Sequence, residues 1–173
     1  MKVYFDEIKI SSKEGFETIP ITDMVEQIVK KSTVRNGSVT LFSQHTTGSI
    51  RVSEDEKSLL LDYKNFFERL APEKGAYGHN ETNVDDRKNA HSHLQSMLLN
   101  SAETIPVKDG KMMLGTWQTI FFVELDGPRP ERKGNRSSVI KNHQSCSVNN
   151  ECKHSKSMDI GKEQTYQHIN RNK

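Results

Sequence analysis

Cysteine is almost missing: the 173-residue chain has two, Cys146 and Cys152, and none before them, so no disulfide framework holds residues 1–133 together. That fits a reducing compartment. Long apolar runs are missing as well. Nothing approaches the ~18 consecutive apolar residues of a membrane span, and the start, MKVYFDEIKI, carries acids where a secretory leader needs an apolar stretch. The expectation is a cytoplasmic protein without membrane contact. Aromatic residues make up 7% of the chain, and no stripe of Lys and Arg interleaves with them, which argues against nucleic acid as a partner.

Charge divides the chain in two. The formal net charge is +2, but residues 134–173 hold seven Lys/Arg against three Asp/Glu, so that stretch is +4 and the remainder is −2. The same stretch is dominated by Ser, Asn, Lys, His and Gln, a composition that cannot bury enough apolar surface to order itself. We therefore expect one domain over 1–133 and a disordered tail over 134–173. In the tail His143, Cys146, Cys152 and His154 could in principle hold zinc, but their spacing matches no common finger, and a solvated tail is the better reading.

Periodicity within 1–133 alternates strands and helices. Lys2–Ser11 and Phe16–Ile21 read as strands, and Met24, Val25, Ile28 and Val29 as one face of a helix capped by Thr22 and ending near Ser32. Ser38–His45 and Gly48–Val52 alternate as strands. A second helix, capped by Ser53 and opened by Glu54, Asp55 and Glu56, should bury Leu59, Tyr63, Phe66, Phe67 and Leu70. Residues 71–88 are rich in turn formers and read as a long loop, the kind that often carries function.

A third helix is expected over Asn89–Asn100, with Ala90, Leu94, Met97 and Leu98 as its buried stripe. Asp109-Gly110 then turns a hairpin whose second strand, Met112–Leu125, is apolar on both faces and so belongs in the middle of a sheet. Gln118 and Glu124 on that strand would be buried polar groups in need of partners. The fold class is α+β, a mixed or antiparallel sheet packed with about three helices.

All four histidines of residues 1–133, His45, His79, His91 and His93, lie in or beside the polar segments that interrupt this pattern. Neutral imidazole binds zinc and similar ions, and three converging rings would leave the open position of a catalytic centre. A single histidine is more often an ordinary surface or core residue, and these are far apart in sequence. His91 and His93 differ by about 200° around a helix, so periodicity alone does not say which faces the others. His45-Thr46-Thr47-Gly48-Ser49 is a hydroxyl-rich turn suited to phosphate oxygens, although an ordinary Thr/Ser turn looks the same. Arg129, after Asp126-Gly127-Pro128, offers the paired donors that phosphate accepts.

HTTGSIRVSE at 45–54, Asp62 with the later Pro72, YGHN at 77–80, NAHSHL at 89–94 and LGTWQTIFFVELDGPR at 114–129 form an ordered set. In this set the chain resembles the YjbQ family of thiamine-phosphate-synthase-like proteins from near Met1 to about Lys133. The resemblance implies a small α+β fold assembled as a homotrimer, with a polar cleft lined by His45, His79 and His93. The family pattern N-A-x-x-H-L selects His93 over His91. Glu54, Asn89, Gln118, Glu124 and Arg129 also fall on positions typical of the family.

The activity implied is a metal-assisted transfer that joins hydroxymethylpyrimidine pyrophosphate to a thiazole phosphate and releases pyrophosphate. It assigns Zn or Mg to His45, His79 and His93. Phosphate contacts fall to Thr46, Thr47, Ser49, Asn89 and Arg129, and catalytic roles to Glu54, Gln118, Glu124 and Arg129. A metal-dependent phosphohydrolase with Glu54 or Glu124 as base, or a non-catalytic module binding a metal and a small phosphorylated molecule, would use the same donors. One departure stands out: family members follow DGPR-x-R-K with a short apolar strand, whereas Gly134 onward is polar here. The closing strand is therefore expected to be missing, leaving a sheet edge open.

Overall fold

The computed structural model describes residues 3–82, 86–132 and 139–142. Elements run β1 (Val3–Tyr4), β2 (Ile10–Ser12), β3 (Glu17–Pro20), α1 (Thr22–Ser32), β4 (Gly37–Phe42), β5 (Gly48–Ser53) and α2 (Lys57–Leu70). Then come α3 (His79–Thr82), α4 (Ala90–Ser96), β6 (Ala102–Lys108), β7 (Lys111–Met112), β8 (Thr119–Glu124), β9 (Arg129–Arg132) and β10 (Val139–Asn142). The strands form a five-stranded sheet in the order β1-β10-β4-β6-β7, a three-stranded sheet β3-β8-β5, and a pair β2-β9. All the strand pairings described are antiparallel, so the α+β expectation is met with an antiparallel sheet system.

The closing strand is not missing. Val139–Asn142 lies between β1 and β4, pairing Lys141 with Val3 and with Ser38. Strand pairing therefore extends past Lys133, where the sequence pattern ends the domain. A strand needs only a few extended residues with ladder partners, and Val139-Ile140 supplies β-formers inside an otherwise polar stretch. The remainder of the tail, with the expected disorder and the His143, Cys146, Cys152 and His154 set, lies outside the described residues.

Strand β8 sits between β3 and β5 and alternates its side chains as the sequence predicts. Ile120 and Phe122, both fully buried, join the main core with Val25, Ile28 and Val29 of α1, Val39 and Leu41 of β4, and Ile105 and Val107 of β6. Phe121, Val123 and Leu125 face the other way, towards Phe16, Leu60 and Leu99. Gly48 on β5 crosses Phe122 so closely that a Cβ there would stand 2.6 Å from the ring, which explains glycine in this register.

Several local signals resolve differently from the pattern. Lys2–Ser11 is broken into β1 and β2, and the hairpin's second arm into β7 and β8, because Met113–Gln118 leaves the sheet. Gln118 and Trp117 are consequently exposed, Trp117 by 72%. Thr22 makes no cap; its hydroxyl accepts the Ile120 N–H at 2.9 Å, tying α1 to β8. The second helix is capped by Glu56 rather than Ser53, since the Glu56 carboxylate accepts the N–H groups of Ser58 and Leu59, each at 2.8 Å. Those hydrogen bonds to the charged form, that from Ser58 foremost, hold the Glu56 carboxyl below its ordinary pKa.

The largest departure concerns helix faces. Helix α2 buries Phe67 alone, leaving Leu61, Phe66 and Leu70 exposed, and α4 is short and turns Leu94 to solvent. Met97 and Leu98, just past α4, are exposed by 82% and 61%. Of the expected stripe α4 buries Ala90, and beside it Ser92 and Gln95, because the chain spends its inward face on hydrogen bonds. Gln95 Nε2 donates to the Phe67 and Ala71 carbonyls, and Ser92 Oγ to that of Leu125.

Candidate functional site

The turn between β4 and β5 carries His45 to a cleft. Ser43 Oγ donates to the Gly48 carbonyl at 2.7 Å and accepts the His45 N–H at 3.4 Å, so the turn closes on itself. The Thr46 carbonyl accepts Ser96 Oγ of α4 at 2.7 Å, and the Thr47 carbonyl accepts the Leu125 N–H at 3.1 Å. These bonds pin the turn against α4 and the end of β8. Between them lies an open cleft of about 680 Å³ lined by His45, Thr46, Ser49, His93 and Ser96, with Phe42 and Met97 supplying apolar wall.

His79, at the start of α3, lays its ring edge-on to His93, with centroids 5.0 Å apart and planes at 80°. The fold thus brings His45 and His93 to one cleft and His79 to His93. It does not form the expected metal set: among the described residues no three His, Cys, Asp or Glu side chains are grouped to hold one ion. Edge-to-face packing of two imidazoles is a ring contact, whereas shared ligation needs nitrogens aimed at one point. A zinc held by three protein ligands does not fit the described residues.

The other predicted residues divide. Thr46 and Ser49 line the cleft, while Thr47 is buried beneath it. Glu54, exposed between β5 and α2, and Gln118, whose Oε1 accepts the Gly115 N–H at 2.8 Å, line neither this cleft nor the cavity described next. Glu124 is fully buried, and its carboxylate accepts from Ser12 Oγ, Leu125 N–H and Asp126 N–H at 3.1, 3.0 and 2.9 Å. That carboxylate fastens the end of β8 to β2 and is closed off from substrate.

Asn89 and Arg129 belong to a second cluster. Asp126 is its hub, accepting Asn89 Nδ2 at 2.9 Å, pairing with Arg87 at 3.7 Å and bonding to Arg129 Nη2. Arg129 is thereby pinned as a structural fork, and its N–H donates to Ser12 Oγ at 3.0 Å. Beside the hub is a cavity of about 410 Å³ lined by Lys64, Glu68, Glu73, Asn89, His91 and Asp126. Helix α4 separates the two sites, so the 200° between His91 and His93 places one histidine on each. Asp126 and Ser96 were not legible as site residues; the DGPR turn following a buried strand was the available signal for the first.

Fold and site together define a small antiparallel α+β protein with a histidine- and hydroxyl-lined cleft at the junction of two sheets and a short helix. Residues 6–145 match the family described as UPF0047 protein YjbQ-like, and the chain belongs to this family. It is 44% identical to a UPF0047 protein of Methanothermobacter thermautotrophicus over 76% of this chain and 90% of the relative. With the UPF0047 protein YjbQ of Escherichia coli O157:H7 it shares 30% identity over 70% of this chain and 86% of the relative. A Sulfolobus solfataricus structure, described as a YbjQ-like protein of unknown function, superposes with a TM-score of 0.71 at 42% identity, covering 80% of this chain and 95% of that one. The family match runs past Lys133 and takes in β10, in agreement with its place in the sheet.

Proposed function

We propose that the chain is a transferase of the thiamine-phosphate-synthase type. In this reading it joins hydroxymethylpyrimidine pyrophosphate to a thiazole phosphate in the cleft between the β4–β5 turn and α4. The observation that supports it best is the meeting of His45, Thr46, Ser49, His93 and Ser96 in one cleft from two separate stretches of chain. Hydroxyls and imidazoles so arranged supply donors for a departing pyrophosphate, and a histidine can pass a proton to its oxygen. Glu124 and Arg129 hold the neighbouring backbone in place rather than touching substrate, and Glu54 and Gln118 stand outside the cleft.

The divalent cation that such a departure calls for would be magnesium carried in by the pyrophosphate, since magnesium keeps its waters and reaches proteins largely through substrate phosphates. The exposed Phe42, Leu94, Met97, Leu98 and Trp117 support assembly of the proposed homotrimer, because apolar side chains left in the open mark surfaces that another chain covers.

The test is formation of thiamine phosphate and pyrophosphate from the two precursors by the purified full chain with magnesium. His93→Ala and His45→Ala should each lower turnover by about 100-fold or more while leaving substrate-free melting nearly unchanged. Folded wild-type protein that makes no product, or turnover by both variants equal to that of the wild type, would overturn the assignment. Metal-dependent hydrolysis of simple phosphate esters, abolished by His93→Ala, would move it to the phosphohydrolases. Tight binding of a phosphorylated ligand without turnover would make it a binding module.

A further inference from the structure

We propose that a second copy of the chain completes the cleft between the β4–β5 turn and α4, packing its Trp117 against the apolar wall of that cleft in a head-to-tail contact. The proposal rests on the homotrimer reading above and is independent of the transferase reading. Its starting point is the β5–β8 ladder, which pairs Gly48 with Glu124 at one end and Ser53 with Thr119 at the other, about 17 Å away. His45 precedes Gly48 and belongs to the first end. Glu54 follows Ser53, and Trp117 and Gln118 precede Thr119, so all three belong to the second.

Each end is unfinished in the single chain. At the second, Trp117 and Met113 are exposed by 72% and 56%, in the stretch that leaves the sheet between β7 and β8. At the first, Phe42 and Met97 wall the cleft and are exposed by 45% and 82%. Large apolar side chains gathered in the open mark a surface that another chain covers. Tryptophan and methionine are enriched on such surfaces, and tryptophan often dominates their binding energy. The length of the ladder keeps one chain from covering its own cleft with its own Trp117, so the complement has to come from a neighbour.

The polar groups are complementary as well. Imidazoles and hydroxyls line the cleft, and no carboxylate does so among the described residues. The second end carries the exposed carboxylates of Glu54 and Asp55, which accept from N–H and O–H groups. Because the two ends are unlike, the contact is heterologous, and such contacts generate a ring when the rotation closes. A two-fold pairing of the Trp117 ends would leave Met97 bare. In the ring each cleft gains a neighbour's indole beside Phe42 and Met97, a flat face on which the planar ring of a ligand can stack.

Trp117 is the chain's single tryptophan, so its fluorescence reports the contact without any substitution. Emission of the full chain, its quenching by acrylamide and its mass by light scattering are followed together on dilution. The assembled protein should emit to the blue and resist acrylamide, and both signals should move to those of solvent-exposed indole as the mass falls to one chain. Trp117→Ala should raise the concentration at half assembly about tenfold or more. Proximity is read by mixing wild-type chains with chains that lack tryptophan and carry a nitroxide at position 97 (Trp117→Phe, Met97→Cys, Cys146→Ser, Cys152→Ser). Only a neighbour's label can then quench the wild-type Trp117, and quenching is expected. A chain that stays monomeric at every concentration would overturn the homotrimer and this contact together. An assembly in which the wild-type Trp117 remains open to acrylamide, or is not quenched by the labelled neighbour, would overturn this contact alone.

Discussion

The two faces of β8 make a natural comparison. On one, Ile120 and Phe122 meet α1, which buries Val25, Ile28 and Val29 in the main core. On the other, Phe121 and Val123 meet α2, which buries Phe67 alone and leaves a cavity of about 520 Å³ beneath Leu59, Tyr63 and Phe66. Both helices are amphipathic by sequence, yet one is cemented to the sheet and the other rests on it. The face against α1 holds the fold, and both polar sites open around α4 on the looser side. Space and unpaired polar groups can persist only where the core does not have to be continuous.

The strongest way to break this contrast is to truncate one aromatic on each side. Phe122→Ala should cost about 3–5 kcal/mol of stability, because the main core cannot collapse around the loss. Phe66→Ala, 47% exposed and held mainly by an edge contact with Phe67, should cost about 1 kcal/mol or less. Denaturant melts that gave equal losses would show that α2 is as firmly packed as α1.

Next is Glu124, a polar group on the same face as Phe122. Glu124→Ala leaves the Asp126 N–H and the Ser12 hydroxyl without their acceptor and the Leu125 N–H with the Thr47 carbonyl alone, an expected loss of about 3 kcal/mol. Chemical denaturation measures it. A loss below about 1 kcal/mol would mean that this carboxylate does not fasten β2 to β8. A smaller effect on folding is expected from Met97→Glu, 82% exposed in the single chain. It should leave the melt of the monomer within about 0.5 kcal/mol while shifting assembly toward monomers in light scattering. An unchanged mass would count against Met97 in the proposed trimer contact.

The least effect belongs to the start of α2. Glu56→Ala should lower the melting temperature slightly at neutral pH. Because folding lowers the Glu56 carboxyl pKa, its contribution is complete above the unfolded-state value and disappears as pH falls through the folded one. Variant and wild type should therefore converge in acid. A gap that persists below both values would assign the effect to something other than the ionised cap.

Alternation along Thr119–Glu124 made β8 and its two faces legible without a structure, since side-chain period two is a local property that any register preserves. The Asp109-Gly110 turn was legible for a similar reason, as both residues adopt the positive φ that a tight hairpin demands. The apolar stripes of α2 and α4 were read correctly as stripes but, Phe67 and Ala90 apart, wrongly as buried, because periodicity shows that a face exists and not what lies against it. β10 was missed because four extended residues in a polar tail carry almost no pattern of their own, and their pairing with β1 and β4 is non-local.

By itself, then, the sequence determined the family, the strand and helix alphabet, and the residues from which a site could be made. Only the tertiary structure decided that His91 and His93 serve different cavities, that Asn89 and Arg129 gather on Asp126 away from His45, and that Glu124 is a fastening rather than a base. The physical reason is that chemistry at a site depends on which groups are within hydrogen-bond reach. For residues as distant in the chain as Ser12, Glu124 and Arg129, that is set by how sheets and helices close on one another.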